Sequence, residues 1–201
     1  MMYELATLTI TMGSAARATA AIGADCAAGG GRLLGCFVAD IGALNRIYVL
    51  RGFDDEAAQA AERERVLRSA SPFGCGEFLT ALSVDRYLPF PNVPPVEPGA
   101  FGAIYEIRSY VLKVGGLTPT LAGWAEALPA RMAFSKMIIA MYTLDGAPRI
   151  THIWPYADLN QRNALRAEAV RRGIWPPKST SWLTPEMHSS ICLPADISPL
   201  R

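Results

Sequence analysis

Glu106, Arg108 and Tyr110 alternate along one short segment of this chain, and His152, Trp154 and Tyr156 alternate along another. Every second side chain of a β-strand points to the same face. Two such strands side by side would gather a carboxylate, a guanidinium, a phenol and an imidazole. That set supplies an acid or base and a cation for a developing oxyanion. An unperturbed imidazole titrates near neutrality, so His152, with Glu106, is the candidate for proton transfer. Arg108 is the candidate for stabilising an enolate or phenolate, with Tyr110 beside it. Trp154 and Tyr156 are candidates for holding the substrate. Each has a plainer reading. Glu106 and Arg108 can be an ion pair that ties a sheet, His152 a buried histidine bonded to a neighbour, and the two aromatic residues core.

Other reactive types are less well placed. Cys75 lies between glycines in Phe73-Gly74-Cys75-Gly76-Glu77, with no histidine near it in sequence, and reads as a small apolar residue. Gly29-Gly30-Gly31 precedes a strand and reads as a helix stop, not a phosphate loop. The Glu62–Arg65 run reads as a solvated helix face, and His188 has no partner by spacing. Four cysteines without a C-x-x-C spacing and two histidines argue against a metal site, and no cofactor is expected. Lys and Arg number 19 against 18 Asp and Glu, without a basic stripe, which argues against nucleic acid. Apolar runs are short and broken by charges, so no membrane span is expected. The N-terminus opens in a strand pattern without a signal sequence, so the expected setting is cytoplasmic with reduced thiols.

The elements that must position these residues come in two copies. Tyr3-Glu4-Leu5 recurs as Tyr105-Glu106-Ile107, 102 residues on, and Asn45-Arg46-Ile47 matches Pro148-Arg149-Ile150 at a spacing of 103. Copy one reads as strand 2–12, helix 15–27 with Ser14 as cap, strands 33–39 and 46–53, a charged helix from Asp54 or Asp55 to about Leu67, and strand 83–90. Residues 91–102 are rich in Pro and Gly and read as a stiff linker. Copy two reads as strand 103–113, helix 118–132, strand 135–143, a turn at Asp145-Gly146, strand 148–156, helix 158–172 and strand 187–193. This is the ferredoxin-like order, once in residues 1–90 and again in 103–201. First and third strands are then neighbours, which sets Glu106, Arg108 and Tyr110 beside His152 and Trp154, expected inside a barrel. Apolar positions on both faces of 137–141 require sheet cover. The two units pair either within one chain or with a second chain as a homodimer.

Several segments resemble the NIPSNAP family: Gly31-Arg32-Leu33-Leu34-Gly35, Ile41-Gly42-Ala43-Leu44-Asn45, His152-Ile153-Trp154-Pro155-Tyr156, and Asp158-Leu159-Asn160-Gln161-Arg162. The openings Tyr-Glu-Leu and Tyr-Glu-Ile-Arg-Ser-Tyr fit as well. The resemblance implies an α+β fold in which two tandem ferredoxin-like units form an α+β barrel. Relatives on that fold include cofactor-independent monooxygenases, polyketide cyclases, lactone isomerases and haem-degrading enzymes, an analogy of fold alone.

The copies have diverged. Copy one has Val49-Leu50-Arg51-Gly52-Phe53 where the family has a His-x-Trp-x-Tyr-like strand, and Ala6 and Leu8 where copy two has Arg108 and Tyr110. A polar site is therefore expected in copy two, with drift of a redundant copy as the alternative. The expected function is binding or conversion of a small apolar or aromatic oxygenated molecule by acid/base chemistry. The alternative is a non-catalytic protein-interaction module. A cavity of some hundreds of Å³ at His152 would separate the two.

Overall fold

Each half of the chain opens with a β-branched run that stops at a glycine in the left-handed region, Gly13 at φ 78° and Gly115 at φ 77°. A side chain there would be strained, and the same turn at equivalent places is the backbone counterpart of the sequence repeat. The computed structural model describes residues 1–201. The first half runs β1 (Met2–Ile10), α1 (Ala15–Ala28), β2 (Arg32–Ile41), β3 (Arg46–Phe53), α2 (Glu56–Arg68) and β4 (Leu79–Pro89). The second runs β5 (Ile104–Leu112), α3 (Leu117–Phe134), β6 (Ile139–Thr143), β7 (Arg149–Tyr156), α4 (Leu159–Arg171) and β8 (Leu183–Pro194).

Local chemistry explains the helix starts. Asp55 accepts a hydrogen bond from the Ala58 amide at 2.8 Å, and Asp158 one from the Gln161 amide at 2.7 Å. Ser14 does not act as the expected cap of α1. Its hydroxyl donates instead to the Thr11 carbonyl at 2.6 Å, closing the turn before the helix. The strand expected at 135–143 begins only at Ile139, because α3 continues to Phe134.

The strands close into one antiparallel barrel in the order β1-β3-β2-β8-β5-β7-β6-β4. Each half contributes four adjacent strands. The seams are β2 with β8, from Phe37 opposite Pro194, and β4 with β6, from Tyr87 opposite Thr143. Closure within a single chain leaves no sheet edge unpaired. Of the two pairings open to the sequence, the intrachain one is formed.

The barrel core includes Leu5, Phe37, Leu50, Tyr105, Ile107 and Ile153. One end is plugged by Val96 and Leu200, with Val93 and Phe101 against them. The other end is more polar and holds a cavity of about 390 Å³. Its polar groups satisfy one another: Tyr87 with Thr151 (3.1 Å), Thr151 with Ser109 (3.0 Å), and Arg149 with Asp85 (3.1 Å).

Alternation on β5 is as read, but the expected placement inside the barrel is corrected. Tyr105 and Ile107 face inward, whereas Glu106, Arg108 and Tyr110 face outward, toward α3 and α4. A sheet in this fold has two covered faces, one against the opposite sheet and one against helices. Alternation tells which residues share a face, not which face it is.

Candidate functional site

The outer face of β5 and β7 is the floor of the site. Register sets Glu106 opposite Trp154, Arg108 opposite His152 and Tyr110 opposite Ile150. The roof is α3, whose buried stripe Trp124, Leu128 and Arg131 follows helical spacing. Trp175, from the loop after α4, and Leu183 at the start of β8 close the rim. Between them lies a cavity of about 710 Å³. Tyr110, His152, Trp154 and Tyr156 line it, as do Trp124, Arg131, Arg166 and Trp175. Glu106 and Arg108 do not; they stand beside it.

Aromatic rings pack together on one side of the wall. Trp124 meets Trp175 edge-on at 4.9 Å, and Trp154 meets Trp175 at 5.8 Å. His152 is held edge-on by Trp124 at 4.9 Å and by Tyr110 at 5.1 Å. It is only 2% exposed. Burial, with the Arg108 charge adding to it, lowers its pKa from 6.5 to about 3, so the ring is neutral. Trp154 Nε1 donates to His152 Nδ1 at 2.6 Å. Indole nitrogen is a donor only, so Nδ1 is the acceptor and Nε2 carries the proton. Nε2 is buried without a partner. His152 therefore carries one unpartnered N–H donor beside the cavity and no basic lone pair.

Glu106 is the centre of an ion cluster. Its Oε1 accepts from Arg108 Nη1 (2.6 Å), Arg162 Nη2 (2.6 Å) and Ser189 Oγ (3.0 Å), and Arg166 Nη1 lies 3.7 Å from Oε2. Burial pushes this carboxyl up, but the Arg162 hydrogen bond and the Arg108 and Arg166 charges outweigh it and hold it at about 2. A carboxylate so firmly ionised is a weak base. Arg108 also donates from Nε to the Tyr110 hydroxyl. The ion-pair reading fits the geometry of Glu106 and Arg108. Burial raises the pKa of both phenols, Tyr110 and Tyr156, which keeps them protonated. Arg131, 2% exposed, lies over the Trp154 ring at 4.5 Å, and burial lowers its pKa.

The first half offers no counterpart. Arg51 stands opposite Glu4 where Trp154 stands opposite Glu106. It is fully buried, bonded to Glu4 at 2.5 Å and to Glu62 at 2.5 Å. Ile22, Cys26, Val66, Phe73 and Cys75 pack that side of the sheet. Cys75 is buried, and burial pushes its thiol up to about 11, as suits an unreactive apolar residue. No group of three or more His, Cys, Asp or Glu side chains is placed to hold a metal ion.

Trp124, Arg131 and Trp175 were not among the expected site residues. One signal for Arg131 was present: a charge on the apolar stripe of a helix, two turns after Trp124. Nothing local marks Trp175, which reaches the site through a loop.

Comparison with known proteins agrees with this architecture. A crystal structure of a candidate monooxygenase from Lactobacillus acidophilus NCFM superposes with a TM-score of 0.66 at 14% identity, covering 96% of this chain and 93% of that one. An anthrone oxidase-like protein superposes with a TM-score of 0.67 at 11% identity, covering 96% and 91%. At such identities the likeness is one of fold. By sequence, the chain is 33% identical over 115 residues to NipSnap homolog 2 of Mus musculus, which covers 56% of this chain and 40% of that protein. The chain thus spans less than half the length of this relative. The NIPSNAP family model matches residues 3–72 and 105–199, most of both halves. With the same duplicated unit closing a ferredoxin-like barrel, the chain belongs to the NIPSNAP family.

Proposed function

We propose that this chain binds a flat apolar or aromatic oxygenated molecule between the sheet and helices of its second half. There it stabilises negative charge on the ligand's oxygen. The observation that carries the reading is an unpartnered His152 Nε2–H in a cavity of about 710 Å³ walled by tryptophans. A donor held in place without a protein partner is most effective where oxygen gains charge. Enolate or phenolate stabilisation is common to isomerase, cyclase and cofactor-independent monooxygenase chemistry. A candidate monooxygenase and an anthrone oxidase-like protein are among the fold neighbours, which supports the choice of class by analogy.

The assignment of roles follows from ionisation. His152 is neutral with Nδ1 already accepting, so it serves as donor rather than base. Glu106 orients Arg108 and Arg162 rather than taking a proton. An open cavity also favours this reading over an interaction module, which would need no such space.

The test is a screen of aromatic and polyketide-like compounds by thermal shift and tryptophan fluorescence, followed by turnover assays on binders. Loss of one oxyanion donor costs about 10²–10³ in turnover. His152→Phe should show that loss with the fold intact by circular dichroism. Wild-type turnover in His152→Phe would remove the histidine from the reaction.

A further inference from the structure

The charge lining the cavity narrows what it takes. Lys113, Arg131 and Arg166 are cationic, and no lining residue is acidic. The chain as a whole is nearly neutral, at 19 basic against 18 acidic residues, so positive charge is gathered here by placement. Arg166 has Glu106 at 3.7 Å. Arg131 has no acidic partner; the Tyr156 hydroxyl is the polar group that acts on it. It is 2% exposed, and its Nε and Nη1 are buried without a hydrogen-bond acceptor. Trp154 at 4.5 Å and Trp175 at 5.9 Å attract the cation through their ring faces. They accept none of its directional hydrogen bonds, and a guanidinium has five N–H groups to place.

A buried cation without a counter-charge is costly, because desolvation is not repaid. Folds retain such a group where something else completes it. Arg131 hangs from α3, and the second unpartnered donor, His152 Nε2–H, rises from β7. Both line the same cavity. A planar guanidinium and an imidazole N–H beside one cavity suit the two oxygens of a carboxylate. The tryptophan walls suit a flat apolar body attached to it.

We propose that the cavity of the second half binds an aromatic carboxylate, with Arg131 as the anchor for its charge and His152 as the second donor. This rests on the cavity reading above and adds to it the charge of the ligand and the residue that selects it.

A matched pair of probes tests it on the full chain: 2-naphthoate and 2-naphthamide, titrated against the fluorescence of Trp124, Trp154 and Trp175. Charge-assisted hydrogen bonds should favour the acid by about tenfold or more. In Arg131→Met the acid should lose at least that factor while the amide falls far less. Arg131→Lys, which keeps the charge without the fork, should restore part of the preference. Equal affinity of acid and amide in the wild type overturns the proposal and leaves the cavity reading standing. So does an undiminished acid preference in Arg131→Met. Failure of both probes, and of smaller and larger acid–amide pairs, overturns the cavity reading and this proposal together. Should Arg131→Met not fold, the wild-type acid–amide contrast and Arg131→Lys decide alone.

Discussion

Trp154 Nε1 donates to His152 Nδ1 at 2.6 Å, and the two residues lie two apart on the same face of β7. One indole thereby selects the imidazole tautomer and leaves the remaining N–H, buried beside the cavity, without a partner. We expect nitrogen-resolved NMR of labelled histidine to find His152 neutral and protonated at Nε2 from about pH 5 to 8. In Trp154→Phe the Nδ1 position loses its donor, and the second tautomer should appear. An imidazolium signal assigned to His152 at pH 6, distinguished from exposed His188 by comparison with His152→Gln, would refute the assignment.

Acid stability follows from the same burial. The unfolded chain protonates His152 below about 6.5, whereas the folded chain resists until about 3. Stability should therefore fall as pH drops through that window, because the unfolded state binds the extra proton. Glu106 and Glu62, each lowered from 4.5 to about 2, contribute stability above 4.5 that is lost as pH falls toward 2. Urea unfolding across pH should show both parts. His152→Gln should flatten the curve between 6.5 and 4.5 and leave the lower limb unchanged.

Arg131→Met should stabilise the ligand-free protein. It replaces a buried unpaired cation by an apolar chain of similar length. The gain expected is about 1–3 kcal/mol, less the lost attraction to Trp154. Differential scanning calorimetry should register a rise in Tm of several degrees. A lower Tm would mean that the guanidinium is satisfied in the unliganded state.

The same substitution at Arg51 should have the opposite sign. Arg51 is as buried as Arg131 but holds Glu4 and Glu62 at 2.5 Å each. Arg51→Met leaves Glu4 buried without its cation and Glu62 with Arg65 alone, at a cost of about 3–5 kcal/mol. Urea unfolding at pH 7 measures it, and a loss below about 1 kcal/mol would show that water reaches the site.

Much of the architecture is legible in residue order alone. The recurrence of Tyr-Glu-Leu as Tyr-Glu-Ile announces two equivalent units, and hydrophobic alternation with the glycine turns yields four strands and two helices in each. These signals are local, and local signals survive without knowledge of the fold. Alternation also groups Glu106, Arg108 and Tyr110 opposite Trp154, His152 and Ile150, because a ferredoxin-like order makes β5 and β7 neighbours.

Tertiary packing decided the rest. Both faces of β5 carry apolar and polar residues, so only closure of the barrel settles that Tyr105 turns inward and Glu106 outward. Whether Glu106 is a base or an ionised hub depends on Arg162 and Arg166, which arrive from a helix more than fifty residues away in sequence. The difference between Arg51 and Arg131 is of the same kind. An arginine's type specifies its charge, but the carboxylates that surround it, or fail to, are brought there by distant segments. Coulomb attraction and desolvation depend on those distances in space, which residue order does not contain.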